Sequence, residues 1–268
     1  MNLRGTKLRR LFWDIETSPN IVLSWRTGYK INIDHDNILH ERAIICIGYK
    51  WEGEAKVHAL TWDKNQNDRA MLEEFLKVAA GADELVAHNG DNFDLPWVKA
   101  RCVHHGLRTF PDYKTVDTLQ WARRRFLFNS NRLDYLGEFL GVGGKIKAEF
   151  GLWKAVVLKR DEDALQRMVR YCKRDVAMLE KVYAKLAPHV SHKTHAGVLA
   201  GKDKWSCPAC ASLEVFVQRG VRVTADGTKR YGMQCKKCHR SFRISETAHG
   251  HFLEAKRLKS ENQHKAAA

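Results

Sequence analysis

Near the start of the chain, the stretch LFWDIETSP, Leu11 to Pro19, sets Asp14 and Glu16 two residues apart inside an apolar run. Leu11, Phe12, Trp13 and Ile15 read as a buried strand. In a strand, residues i and i+2 share a face, so Asp14 and Glu16 project together while Trp13 and Ile15 point the other way. Two like charges this close repel and raise one another's pKa. A divalent cation between them removes the conflict. Hard carboxylate oxygens without His or Cys nearby suit magnesium or manganese rather than zinc. The plain alternative is a polar strand end at the surface; the flanking Phe, Trp and Ile weigh against it.

Two further constellations lie downstream. In HNGDNFDLPWV, His88 to Val98, a short strand runs into a turn and a helix begins. Asp94 sits at that helix start, with Asn89 five residues before it. A helix cap at Asp91 or Asn92 would explain one of these polar residues, not the set. In RYCKRDVAMLEKVY, Tyr171 and Asp175 are i and i+4 on a long helix and share a face. Asp175 also falls among Val176, Leu179 and Val182, the apolar stripe. An ion pair from Asp175 to Arg170 or Lys181 is the plain alternative.

DxE on the first strand, NxxxFD after a later strand and YxxxD on a late helix occur in this order, widely spaced. Together they resemble the DEDD superfamily of 3′–5′ exonucleases with a ribonuclease H-like fold. Within it the tyrosine subgroup fits best, and the proofreading domains of family B DNA polymerases are the nearest likeness. The alternative subgroup uses HxxxxD, and position 170 is arginine here. The resemblance spans roughly Leu8 to Leu186 and includes TVDTLQWARRRF and NRLDYLGEFLGVGGK. It implies that Asp14, Glu16, Asp94 and Asp175 hold two magnesium or manganese ions and that Tyr171 holds the attacking water. It implies a phosphodiester hydrolase working on DNA 3′ ends, single-stranded by preference. The chain is too short to hold a polymerase as well, so a stand-alone nuclease is expected. Asp117 is a looser candidate for a supporting role, and Asp134 reads as a helix-start residue.

Asn89, Phe93 and Trp97 are placed to wedge or stack on terminal bases; core packing is the alternative for Phe93 and Trp97. The basic stretches RRRF, Arg123 to Phe126, and GGKIK, Gly143 to Lys147, are candidate phosphate contacts, Lys145 among them. A solvated helix face explains the arginine run equally well.

Of seven cysteines, four form Cys207-Pro-Ala-Cys210 and Cys235-Lys-Lys-Cys238, around a predicted hairpin with an ADGT turn. Four thiolates at this spacing suit one structural, tetrahedral zinc, and the segment resembles a zinc ribbon. Two CxxC pairs about a hairpin fit neither a redox motif nor a disulfide framework, and point to a reducing compartment. A ribbon this small has too little core to fold without metal. Arg230, Lys236, Lys237 and Arg240, with the interleaved aromatics Tyr231 and Phe242, suit nucleic acid held through phosphates. Docking onto a polymerase or another replication protein is the alternative.

The elements that must position these groups follow from the patterning. Residues 7–62 read as strands, 68–80 as a helix, Glu84 to His88 as a strand, and 92–106 as a helix. Two shorter helices, a Gly- and Lys-rich loop and a long helix from Asp161 to about Leu186 follow. This order predicts an α/β fold, a ribonuclease H-like mixed sheet flanked by helices, plus a small β zinc-ribbon domain. The expected division is a nuclease domain over 1–187, a polar linker over 188–204, the ribbon over 205–245 and a basic tail over 246–268. The 268 residues carry Lys+Arg 46 against Asp+Glu 31, a net +15. Residues 188–268 hold 15 of those basic and 6 of those acidic residues, so the surplus is concentrated there. Such a surplus points to a polyanionic partner. No stretch approaches the roughly 18 apolar residues of a membrane span, and the N-terminus does not read as a secretory signal. A cytoplasmic protein of phage or bacterial replication and repair is expected. On the same site, a structure-specific endonuclease, a ribonuclease or a non-catalytic nucleic-acid adaptor are the competing readings.

Overall fold

A computed structural model describes residues 8–28, 30–109, 114–144, 149–191 and 194–267. Lys145 therefore lies outside the described residues. The chain divides into two compact units, Arg9–Tyr183 and the segment from Ala184 onward together with Leu8.

The first unit opens with β1 (Arg10–Thr17) and a small antiparallel pair, β2 (Ile21–Val22) and β3 (Ile38–His40). Then follow β4 (Ile44–Trp51), β5 (His58–Thr61), α1 (Arg69–Ala79), β6 (Glu84–Ala87), α2 (Asp94–His104), β7 (Thr115–Asp117) and α3 (Thr118–Arg125). It closes with α4 (Leu133–Phe139), α5 (Phe150–Lys159) and α6 (Glu162–Leu186), whose last residues pass into the second unit. The strands form one mixed sheet in the order β5-β4-β1-β6-β7. β5, β4 and β1 pair antiparallel, while β1, β6 and β7 run parallel. The expected mixed sheet flanked by helices is the fold observed. The strand that carries Asp14 and Glu16 lies at its centre.

Alternation along β1 divides its side chains between two layers. Leu11, Trp13 and Ile15 join Leu72 and Phe75 of α1 and Val98 of α2 in one buried cluster, with the Trp13 and Phe75 rings 5.0 Å apart. Phe12 and Asp14 face the opposite side, against α6. The Phe12 ring meets Tyr183 edge-on at 5.2 Å, and Cys172 Sγ lies 3.5 Å from the Asp14 carbonyl. Helix α6 earns that place by its stripe: Ala164, Met168, Cys172, Val176, Leu179 and Val182 recur every three or four residues and are all buried. Its first turn holds Glu162 and Asp163, where the helix dipole favours acids.

A buried carboxylate locks α1 and α2 to the sheet. Asp68 accepts hydrogen bonds from Ile44 N–H (2.9 Å), from Arg101 Nε and Nη2 (2.8 and 2.9 Å) and from His105 Nε2 (2.6 Å). Burial alone would raise its pKa; those hydrogen bonds outweigh burial and hold it below the usual carboxylate range.

Two elements carry no legible signal in the sequence. Helix α5 follows the Gly- and Lys-rich stretch read as loop, and its apolar residues FGLWKAVVLK show little periodicity. It is helical because Val156, with Leu152 and Trp153, packs on the cluster of Ile45, Met168 and Cys172. Strand β7 is three residues long and forms only by pairing with β6.

In the second unit, a 3-10 turn (Ala187–His189) and α7 (Ala196–Leu199) occupy the stretch read as linker, where Val190, Thr194 and Ala196 are buried. Strands β8 (Val215–Val223), β9 (Lys229–Cys235) and β10 (Ser241–Ser245) form an antiparallel sheet in the order β10-β9-β8. Its core is Trp205, Val215, Met233 and Ile244, closed by Ala248 and Phe252 of α8 (Glu246–Ala267). Among the described residues, no helix is long and apolar enough to cross a membrane.

Gly48 is paired with Asp14 across β1 and β4. A β-carbon there would lie 2.9 Å from Cys172 Sγ and 3.1 Å from Val176 Cγ2, so only glycine lets α6 approach the sheet this closely. Gly48→Val should therefore destabilise the protein by about 2 kcal/mol or more, despite the strand preference of valine. Urea denaturation measures this, and equal or greater stability in the variant would refute the close-approach account.

Candidate active site and cysteine cluster

Three elements converge at one place on the sheet. β1 presents Asp14 and Glu16 from the face opposite its Trp13 core. β1 and β4 lose register between Glu16 and Thr17, an irregularity of the kind that re-aims side chains. From the end of β6, the turn His88–Phe93 leads into α2. Asn89 takes a left-handed conformation in it (φ 73°), tolerable for asparagine, and its carbonyl accepts from the N–H groups of Asn92 and Phe93. Asp94 then opens α2, buried, and its Oδ1 accepts from the Ile15 N–H at 3.1 Å, between the two acids of β1. On α6, Tyr171 and Asp175 stand one turn apart, and the Tyr171 hydroxyl lowers the pKa of Asp175.

Burial, and for most of these groups an acidic neighbour, raises each of them. Burial, then Asp94, then Glu16 and Asp175 push Asp14 well above the usual carboxylate range. Burial, then Asp175 and Asp94 push Glu16 up to about 8. Burial raises Asp94 to about 7, against the Ile15 hydrogen bond, and raises Asp175 to about 6, against Tyr171 and Arg174. Burial, then Asp175, Glu16 and Asp14 push the Tyr171 phenol upward. Glu16 is among the groups that raise Asp14, the repulsion expected of two acids on one strand face. The donors of the set are all hard oxygens, which fit magnesium or manganese. The oxygens are spread: among the described residues, no three of these acids bring ligand atoms all within 4.8 Å of one another. The groups that do are the four cysteines and an exposed Asp34–His35–Asp36 cluster.

Asp117 emerges as a supporting residue. Its buried carboxylate caps α3 through Leu119 N–H (2.9 Å) and Gln120 N–H (3.3 Å). It also accepts from Asn89 N–H (3.0 Å) and Asp91 N–H (3.4 Å), pinning the turn that delivers Asp94. Only its place before a helical run hinted at this.

Phe93 and Trp97 are partly buried against the sheet core, and the Arg42 guanidinium lies 4.6 Å over the Trp97 ring. Packing accounts for both.

In the second unit, Cys207 Sγ and Cys238 Sγ are 3.5 Å apart, and Cys210 Sγ and Cys235 Sγ 3.7 Å. Tetrahedral ligation at zinc–sulfur distances of about 2.3 Å places sulfurs about 3.8 Å apart, whereas a disulfide brings them to about 2 Å. The spacing therefore fits a shared metal. His239 is exposed and stands outside the cluster. Arg230, Lys236 and Lys237 are exposed. Arg240 is a correction: it is only 3 % exposed and donates from Nη2 to the Ala187 carbonyl, so its charge serves the interior and not a polyanion. Tyr231 is likewise engaged, its ring 3.8 Å from that of His249, and Phe242 packs on the ribbon core.

Comparisons with known proteins agree with this fold. The chain is similar to the DNA polymerase of Thermococcus hydrothermalis, 33 % identical over 94 residues, which covers 29 % of this chain and 6 % of the polymerase. It is 26 % identical over 195 residues to the DNA polymerase of Thermococcus litoralis, covering 60 % of this chain and 11 % of that one. The chain thus spans a small part of the length of these relatives. The solved structure of the family B DNA polymerase from the hyperthermophilic archaeon Pyrobaculum calidifontis shares the fold, with a TM-score of 0.53 and 17 % identity over 68 % of this chain and 25 % of that chain. Residues 31–187 match the RNase_H superfamily, a span that takes in Asp94, Tyr171 and Asp175 and begins after β1. With more than half of its length matched, on a five-stranded mixed sheet flanked by helices, the chain belongs to the RNase_H superfamily.

Proposed function

We propose that the chain is a metal-dependent 3′–5′ exonuclease that hydrolyses phosphodiester bonds at DNA 3′ ends, single-stranded by preference. The observation that carries this reading is the approach of three elements to one place, β1 with Asp14 and Glu16, the start of α2 with Asp94 hydrogen-bonded to β1, and α6 with Tyr171 and Asp175, where burial and acidic neighbours raise Asp14 and Glu16. Membership of the RNase_H superfamily and similarity to DNA polymerases support a nuclease acting on DNA.

On this reading the four acids would hold two magnesium or manganese ions. When bound, such cations supply positive charge to a reacting phosphate and lower the pKa of water. The remaining work falls to the chain itself. Tyr171 is held as a neutral phenol, so it orients a water by hydrogen bonding and does not take its proton. Its bond to Asp175 fixes the ring. Asp94 is held against β1 by the Ile15 N–H and keeps its position without substrate.

The four cysteines would hold one structural zinc, and the exposed Arg230, Lys236 and Lys237 would meet nucleic acid or a replication protein. The proposed division is a nuclease domain over 1–187, a connecting stretch over 188–204, a zinc ribbon over 205–245 and a basic segment over 246–268.

With a 5′-labelled single strand and magnesium, wild type should shorten the substrate stepwise from its 3′ end, and Asp14→Asn should lose at least about a hundredfold in rate. A 3′-blocked strand should resist. Cleavage of a circular single strand, or equal rates in the two proteins, would overturn the assignment.

The raised carboxyls predict a pH dependence. They titrate near 4 in the unfolded chain and at about 8, 7 and 6 for Glu16, Asp94 and Asp175 in the fold. Stability from their neutral forms is thus present below about pH 4 and lost as pH rises through about 6 to 8. Manganese should raise the melting temperature more at pH 8 than at pH 5. A shift independent of pH would count against a metal held by these acids.

One zinc per chain is expected. A strong chelator should abolish amide-exchange protection in β8 to β10 and spare that of β1, β4 and β6. Protection that survives zinc removal would exclude a structural metal.

A further inference from the structure

Beside Tyr171 and Asp175 opens a cavity of about 420 Å³, with Arg123, Arg132 and Arg174 on its walls. His88 also lines it, but burial pushes that imidazole toward its neutral form, and both ring nitrogens are engaged. Asp134 and Asp175 line it too, so its three arginines outnumber its acids by one; their planar forks suit phosphate.

On the segment that supplies Arg123 and Arg132 to this cavity, between the last turn of α3 and the end of α4, four rings touch in series. Phe126 stacks on Phe128 with centroids 5.2 Å apart, Phe128 meets Phe139 edge-on at 5.5 Å, and Phe139 stacks on Tyr135 at 5.9 Å. The row is only partly covered: Phe139 is 61 % exposed and Leu127, at its turn, is fully exposed. Arg123, Arg124 and Arg125 lead into the row from α3 and are exposed. The acids on this stretch are Asp134, which faces Arg132 at 3.4 Å, and Glu138, so arginine outnumbers them. A helix face made only for water would not leave Phe139 and Leu127 uncovered. Aromatic faces beside exposed arginines, on the segment that also supplies Arg123 and Arg132 to the cavity, match what an unpaired strand requires: a ring for each base and a cation for each phosphate. A duplex keeps its base faces stacked inside and gives such rings nothing to bind.

We infer that the segment from α3 to α4 is a track for single-stranded nucleic acid. Phe128, Tyr135 and Phe139 would stack on unpaired bases, Arg124 and Arg125 would hold the phosphates between them, and the cavity would take the terminal nucleotide. The role of the cavity rests on the nuclease reading; the stacking row does not.

Fluorescence anisotropy in the Asp14→Asn background, without hydrolysis, tests the track with a short oligothymidylate, an abasic strand of equal length, the matching duplex and a polyglutamate peptide. Phe139→Ala should weaken oligothymidylate binding about tenfold and abasic binding by less than about twofold. Phe139→Trp should restore the loss. Arg125→Ala should weaken both strands and lower the salt slope by about 0.7. Equal losses on both strands for Phe139→Ala, no rescue by tryptophan, or preference for duplex would overturn the track. So would polyglutamate binding as tightly as the oligonucleotide, which would assign the surface to an acidic protein. Failure of the nuclease reading shows separately, as wild type that leaves the end-labelled strand intact.

Discussion

Four carboxylates and a phenol held together in a buried place repel one another, and the fold of the first unit must hold them there. Asp14, Glu16, Asp94 and Asp175 are each raised by burial and by acidic neighbours; backbone hydrogen bonds oppose this at Asp94, and Tyr171 and Arg174 oppose it at Asp175. The approach costs free energy, and apolar packing on either side of β1 offsets it. On one side Trp13 and Phe75 join α1 to the sheet. On the other, Phe12 meets Tyr183, and the absence of a side chain at Gly48 lets α6 sit against β1. The strand divides its work: Leu11, Trp13 and Ile15 build one core layer, while Asp14 and Glu16 carry charge on the face that Phe12 packs against α6.

Backbone hydrogen bonds then set where Asp94 points. The Ile15 N–H reaches across to Asp94, and Asp117 gathers the N–H groups of the turn before it. Asp68, through Arg101 and His105, ties down the far end of the helix that Asp94 begins. These carboxylates are satisfied by the protein and have pairing roles. The four at the proposed site are instead raised above the usual carboxylate range, and on the proposed reading cations would offset their charge. On the proposed reading, the same imbalance that weakens the fold without metal is what binds metal and substrate.

The second unit meets a different shortage. Its sheet has a small apolar core, from Trp205 to Phe252, and one end is occupied by four sulfurs at metal-sharing distances. A shared ion would take the part that further core residues take in a larger domain. Arg240 shows how charge count misleads in so small a fold. It was read as a phosphate contact among its basic neighbours, yet it is turned inward to a carbonyl.

Much was legible in the residues alone because the signals are short-range. Alternation in LFWDIET placed two acids on one face, i to i+4 spacing paired Tyr171 with Asp175, and twin CxxC pairs about a hairpin marked a sulfur cluster. These depend on strand and helix geometry, which local sequence controls. Helix α5, strand β7, the bridging of His88 and the inward turn of Arg240 were not legible. Each exists because of a partner far along the chain: the cluster around Met168, the edge of β6, the Asn131 carbonyl, the Ala187 carbonyl. The sequence by itself determined which residues could do chemistry and on which face of each element they lie. Only the tertiary structure decided that they meet, because their convergence depends on long-range packing and hydrogen bonding that no local pattern records.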